Sequence, residues 1–267
     1  MMNSLSIVIT SCLKFSDLWE NLDVLFCKHW PSHPSIHLVT DKNNIDIMSS
    51  FVVHEESGDY SYRLLSVLKQ LKSEFVFLSL DDYLPNHNVD QTKIISIISL
   101  MKKEKYDYCR IYKNPRFGKT INKKEKIKSL TLKESCYEVN LYPAIWRVNS
   151  LIKLIEKDEN PWQFEVMLTS RCKDNNFKCI SCRDKNVFRF IDTIRKGKYL
   201  RKAYKFLKKE NLFISSRKKR TIYETVSLNL KTAIGRLIPM PIVRKYRKSK
   251  MNKSYSSYAY QKQKEEK

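Results

Sequence analysis

Phe75-Val76-Phe77-Leu78-Ser79-Leu80, followed at once by Asp81-Asp82, decides the fold. The apolar run has the length and the aromatic and aliphatic content of a buried strand. Two adjacent carboxylates at its carboxyl end are unusual, because burying paired like charge is costly. In open α/β sheets ligands bind outside the carboxyl ends of the strands. A carboxylate pair there can hold a divalent cation, which in turn neutralises a diphosphate. The competing reading is a solvated turn, with Asp82-Tyr83-Leu84-Pro85 leaving the strand.

Outward from this stretch, strands and helices alternate. Leu5–Ser11, Ser35–Thr40 and Phe51–His54 read as short strands, and 17–28 and 61–71 carry leucines at helical spacing. Downstream, 91–104 reads as a helix, 106–112 as a strand, 115–130 as a polar mobile loop, and 137–146 as extended chain. A short helix follows at 149–157. Asn160-Pro161 reads as an N-cap with a first-turn proline, opening a helix with Trp162, Phe164 and Glu165. Val187–Ile191 reads as a last strand. The alternation predicts a mostly parallel α/β sheet flanked by helices.

The chain has 267 residues, enough to bury a core, with a formal net charge of +23. Residues 195–267 hold 23 Lys/Arg against 4 Asp/Glu, so the charge is concentrated in the C-terminal quarter. The expected organisation is a domain over 1–198, basic amphipathic helices over 199–247, and a disordered basic tail over 248–267. Thr221–Arg247 mixes Leu228, Leu230, Ile234 and Ile238 with Lys231, Arg236, Arg244 and Arg247. Such a helix can lie in an anionic leaflet; the alternative is a helix packed on the domain.

Several classes are disfavoured. No stretch approaches the ~20 apolar residues of a spanning helix, and Met1–Thr10 has no basic n-region, so the expected place is the cytoplasm. Only four glycines occur, which excludes a Gly-x-Gly-x-x-Gly fingerprint. Gly118-Lys119-Thr120 lacks the first glycine of a P-loop. Seven widely spaced cysteines read as reduced thiols; Cys172, Cys179 and Cys182 lack a nearby fourth zinc ligand.

From Leu5 to about Tyr199 the sequence resembles glycosyltransferases of bacterial capsule and O-antigen clusters. The resemblance rests on Ile9-Thr10-Ser11-Cys12, Phe15-Ser16-Asp17-Leu18-Trp19, His29-Trp30-Pro31, Tyr60-Ser61-Tyr62-Arg63-Leu64 and Leu80-Asp81-Asp82-Tyr83. It continues through Val89-Asp90, Leu141-Tyr142-Pro143-Ala144-Ile145-Trp146, Glu159-Asn160-Pro161-Trp162-Gln163-Phe164-Glu165 and Gly197-Lys198. Order and spacing carry it rather than any single piece.

The resemblance implies a GT-A-like fold and a nucleotide-sugar donor; the basic amphipathic C-terminus suits a lipid-linked glycan acceptor and an enzyme peripheral on the inner face of the cytoplasmic membrane. The resemblance also implies a divalent cation, Mn²⁺ or Mg²⁺, at a strand-end Asp-x-Asp-like motif. Here that motif is Asp-Asp-Tyr, which lacks the second acid. Asp82 is then the metal or diphosphate ligand and Asp81 a ribose partner. Glu165 is the expected base for an inverting transfer, the alternative being a helix-dipole partner. Trp146 and Trp162 are candidate sugar platforms or core residues. Arg63 is a candidate diphosphate contact or a solvated helix residue. Thr10, Ser11 and Asp41 stand at strand ends where the nucleotide is expected. A nucleic-acid-binding protein using the basic C-terminus is the runner-up, though no such motif occurs and no nucleic acid is expected. A catalytically idle scaffold is the third reading.

Overall fold

In the computed structural model, which describes residues 4–42, 50–112, 118–132, 137–238 and 242, the Phe75–Leu80 run is a central strand. The order begins β1 (Leu5–Thr10), a 3-10 turn (Leu13–Leu18), α1 (Trp19–His29), β2 (Ile36–Thr40) and β3 (Phe51–Glu55). It continues with α2 (Tyr60–Gln70), β4 (Phe75–Leu80), β5 (Tyr83–Pro85), α3 (Gln91–Glu104) and β6 (Tyr108–Ile111). Then come β7 (Thr120–Asn122), β8 (Ile127–Ser129), β9 (Ala144–Arg147), α4 (Val148–Leu154) and α5 (Pro161–Asp174). The chain finishes with β10 (Cys179–Cys182), β11 (Phe190–Asp192), β12 (Ile194–Arg195), β13 (Lys198–Tyr199), α6 (Arg201–Lys209) and α7 (Ile222–Leu237).

Nine strands form one sheet in the order β3-β2-β1-β4-β9-β6-β10-β8-β7. All share one direction except β9 and β8, which run against their neighbours. The expected mostly parallel α/β sheet is therefore the observed one. β9 reverses between β4 and β6, so β4 and β6 end on the same edge. That places Asp81-Asp82 and the end of β6 on one rim.

Each sheet face carries its own core. On one side α1 and α3 bury Trp19, Leu22, Phe26, Ile94 and Ile98 against Ile7, Phe77 and Cys109. On the other, α2, α4 and α5 bury Leu64, Leu151, Phe164 and Leu168 against Val76, Tyr108 and Trp146. Helix starts follow their caps: the Asp59 side chain accepts from Tyr62 N at 2.8 Å, and the Asp90 side chain from Lys93 N at 3.2 Å. Asn160 closes a reciprocal box with Gln163 at the start of α5. A buried fork, Arg171 Nη1 and Nη2 to Glu159 at 2.7 and 2.6 Å, ties α5 to the loop before it. Ser61 at the start of α2 donates through N and Oγ to the Glu159 carbonyl at 3.2 and 3.1 Å. These bonds fix where Glu165 stands.

Three expectations change. The stretch read as a polar loop contributes a hairpin, β7–β8, to the sheet edge; its residues 113–117 lie outside the described residues. β10 has no counterpart in the sequence reading. Its four residues, Cys-Ile-Ser-Cys, are too few to show a period, yet all are buried beside β6. Tyr199–Arg220, expected as the start of a basic helical appendage, packs on the domain. Tyr199, Ala203 and Leu207 are buried, Asn21 Nδ2 donates to the Phe213 carbonyl at 2.7 Å, and Arg217 pairs with Asp17. Beyond it, α7 leaves Ile222, Val226, Leu230 and Ile234 exposed. The tail 248–267, Arg244, Lys245, Arg247 and Cys136 lie outside the described residues. Among those described, no helix is long and apolar enough to cross a membrane.

Candidate active site

β1 and β4 lie side by side with Thr10 opposite Leu80, so the next residues, Ser11 and Asp81, meet at the rim. The Ser11 hydroxyl donates to Asp81 Oδ2, and Trp19 Nε1 donates to Ser11 Oγ at 2.7 Å. This relay orients a carboxyl that is only 6% exposed. Burial pushes the Asp81 carboxyl up to about 7, and Asp17 adds to the push against the Ser11 hydroxyl and the Arg217 charge. Asp17 itself is held low despite burial, because Arg217 Nε and Nη2 donate to it at 2.7 and 2.6 Å.

Asp82 carries the more exposed need. Its Oδ1 is enclosed without a hydrogen-bond partner. Burial raises its pKa well above the usual range, and the charges of Asp81 and Asp192 raise it further. β5 pairs with β11 so that Tyr83 stands opposite Asp192, and Thr193 N donates to the Asp82 carbonyl at 2.9 Å. Position 83, where an Asp-x-Asp motif has its second acid, is a tyrosine here. The strand paired to it brings Asp192 alongside.

These residues fit a divalent cation. Such an ion takes one or two carboxylates plus substrate phosphates, and it removes the cost that an unpartnered, enclosed carboxyl carries. Asp82, with Asp192 near it, would hold the ion. Among the described residues no group of three or more His, Cys, Asp or Glu converges on a metal position. The six described cysteines are free thiols.

The other expected donor residues gather on the same rim. Asp41 Oδ1 accepts from Leu13 N at 2.7 Å and from Thr40 Oγ1 at 3.3 Å. Burial opposes ionisation there, but the Leu13 N–H and the Arg63 charge hold Asp41 below its usual range. Arg63 donates to the Gly58 carbonyl at 2.9 Å and keeps its charge toward Asp41. Thr10 Oγ1 and Tyr60 Oη are both enclosed, and neither closes a hydrogen bond of normal geometry.

Glu165 reaches across from α5 to accept from Leu141 N at 3.2 Å. The helix-dipole reading fails on position: Asn160 and Gln163 serve the helix start, and the first turn holds no acid. Burial raises the Glu165 pKa, opposed by the Leu141 N–H. Its charge in turn disfavours ionisation of Tyr60, Tyr83 and Tyr142, which places it among the rim tyrosines. Tyr142 stacks on Tyr83 and on Tyr112, with centroids 5.4 and 4.7 Å apart.

The two tryptophans separate. Trp146 is fully buried in β9 with its ring 4.4 Å from Tyr108, so it cannot stack on a sugar; it is core. Alternation decides this, since Trp146 and Ala144 face the α5 layer from the middle of the sheet. Trp162 is 61% exposed and lies three residues before Glu165, on the same side of α5. Sequence reasoning missed Asp192, Arg217 and the tyrosines Tyr83, Tyr112 and Tyr142. Tyr83 adjoined the acid pair and was within reach of that reasoning. Asp192 and Arg217 arrive from more than a hundred residues away and left no local sign.

No family model and no curated protein matches the sequence. Solved structures do. S. aureus TarS, residues 1–349, in complex with UDP-GlcNAc, is 15% identical over 73% of this chain and 60% of its own length, with a TM-score of 0.51. The mannosyltransferase PcManGT from Pyrobaculum calidifontis, in complex with GDP-Man and Mn²⁺, is 12% identical over 73% of this chain and 58% of its own, with a TM-score of 0.49. A cytidylyltransferase from Leptospira borgpetersenii is 14% identical over 90% and 96%, also at 0.49. The chain thus spans about 60% of the TarS fragment it matches. What the likeness to TarS shows is the fold, a GT-A-like α/β sheet with helices on both faces.

Proposed function

We propose that the protein is a glycosyltransferase that moves a sugar from a nucleotide-sugar donor to a lipid-linked glycan acceptor in bacterial surface-polysaccharide synthesis. The observation that carries the reading is the Asp81-Asp82 pair at the end of β4, enclosed and incompletely partnered. A folded protein tolerates such groups where a ligand completes them. In this reading Asp82 and Asp192 hold a cation on the donor diphosphate, Asp81 takes a ribose hydroxyl, and Thr10, Ser11, Asp41 and Arg63 line the nucleotide. The cation supplies charge neutralisation for the departing nucleoside diphosphate.

Glu165 accepts the proton of the acceptor hydroxyl as that oxygen attacks the anomeric carbon. A raised pKa brings it nearer to neutral, which suits a base that must also hold the proton it takes. A single displacement of this kind inverts the anomeric centre. Trp162, exposed beside Glu165, offers a face to the acceptor sugar. The exposed side of α7, with Ile222, Val226, Leu230, Ile234 and Ile238 at four-residue intervals, supports attachment to an anionic leaflet.

Calorimetric titration with UDP-, GDP- and CMP-sugars, with and without Mn²⁺, tests the reading directly. One donor class should bind, and more tightly with the ion. Absence of binding to all of them sinks it. Co-sedimentation with phosphatidylserine vesicles separates the membrane element, since removal of residues 221–267 should release the protein while leaving donor binding intact.

A further inference from the structure

Arg110 is the one cation among the polar groups that the protein leaves incomplete on this rim, among the described residues. It lies in β6 and is 2% exposed, yet its Nε and Nη2 are enclosed with no acceptor. Among the described residues its side chain forms no ion pair and no hydrogen bond. The carboxylate nearest in effect, Glu138, raises the Arg110 pKa without forming such a pair, while burial lowers it. A buried guanidinium without a bidentate partner is costly, and arginine is the residue whose planar fork matches a carboxylate or phosphate.

The surroundings point the same way. Arg110 stands opposite Ser181 of β10, whose hydroxyl is also enclosed and partnerless. On the other side it stands opposite Ala144 of β9, whose methyl group offers it no acceptor. Alternation along β6 puts Arg110 on the face of Tyr108 and Tyr112, the face that α5 covers. Its charge reaches Tyr112 and Tyr142, and Tyr142 also feels Glu165 and Asp192. Both tyrosines are partly exposed, so this cluster reaches solvent.

We infer that Arg110 and Ser181 form an oxyanion subsite on the Glu165 side of the rim, receiving a carboxylate or phosphate of the substrate bound there. The inference rests on the proposed function only for what the anion is attached to. A carboxylate would belong to an acidic sugar, and a phosphate to the donor.

Three measurements on wild type, Arg110→Met and Asp82→Asn test it: ligand-free melting, and calorimetric affinity for D-glucuronate and for UDP with Mn²⁺. Arg110→Met is expected to melt about 2–4 °C higher, because an uncompensated buried charge is replaced by an apolar chain of similar length. It should also lose at least tenfold in affinity for one probe. A loss for glucuronate assigns the subsite to a sugar carboxylate, and a loss for UDP assigns it to the donor phosphates. Unchanged affinity for both probes overturns the inference, as does a lower melting temperature, which would mean that the guanidinium already has a structural partner. The Asp82→Asn arm keeps the two readings apart: UDP–Mn²⁺ affinity lost there, with affinity for both probes retained in Arg110→Met, sinks the subsite and leaves the donor site standing.

Discussion

The two halves of the rim are incomplete in opposite senses. At the end of β4, Asp81 and Asp82, with Asp192 of β11 beside them, are carboxyls that burial pushes toward protonation, and the charges of Asp81 and Asp192 push Asp82 further. At the end of β6, Arg110 is a cation that burial pushes toward losing its proton. Elsewhere the fold solves the same problem internally: Arg171 and Glu159 meet in a buried fork, and Arg217 neutralises Asp17. Asp82 and Arg110, left incompletely partnered at the rim, show where the protein relies on something it does not itself contain. A substrate that brings a cation to one half and an anion to the other would complete both.

The largest test of this contrast concerns the group between the halves. Glu165→Gln keeps the Leu141 contact but cannot take a proton, so transfer should fall by ~10²–10⁴, with donor affinity unchanged. Single-turnover assays beside calorimetry measure both. Lost donor affinity would move Glu165 into the donor half, and a product with retained anomeric configuration would remove its role as base.

Next in size is the acid half. Asp82→Asn should weaken Mn²⁺-dependent donor binding at least ~10-fold, the worth of one charge-assisted contact of 1.5 kcal/mol or more. It should also raise melting of the ligand-free protein, increasingly as pH rises, since an enclosed carboxyl whose ionisation burial opposes has been removed. Unchanged affinity would break the comparison. Asp192→Asn should give a smaller loss in the same assay, because Asp192 is partly exposed and is already paired with Arg195 at 3.0 Å.

The smallest expected effect is a pH dependence. The folded-state pKa of Asp81 is raised from 3.8 to about 7. Between those values the unfolded chain releases this proton and the folded one keeps it. Stability from this group is therefore greatest below about pH 4 and declines as pH rises toward 7. A bound cation reverses the cost where the carboxyls are ionised. The Mn²⁺-induced melting shift should accordingly be larger at pH 8 than at pH 5.5. Equal shifts at the two pH values would place the ion away from this pair.

The strand–acid junction at Phe75–Asp82, the helix 91–104 and the Asn160-Pro161 helix start could be read directly, because each is built by local rules of apolar content, period and capping. So could the candidate standing of Asp82 and Glu165, whose neighbours in sequence are distinctive. Trp146 could not be placed, because a tryptophan in a strand looks the same whether it faces a ligand or a helix layer. Burial by α5 decides it.

The sequence by itself determined the layered α/β sheet and the rim on which its acids stand. Only the tertiary structure decided which charges on that rim remain uncompensated. It paired Tyr83 with Asp192, brought Arg217 to Asp17 across 200 residues, and set Arg110 beside Ser181 with no acceptor for either. The physical reason is that strand formation depends on a side chain's neighbours along the chain, whereas the cost of a charge depends on every group packed around it, and strand pairing draws those groups from distant segments.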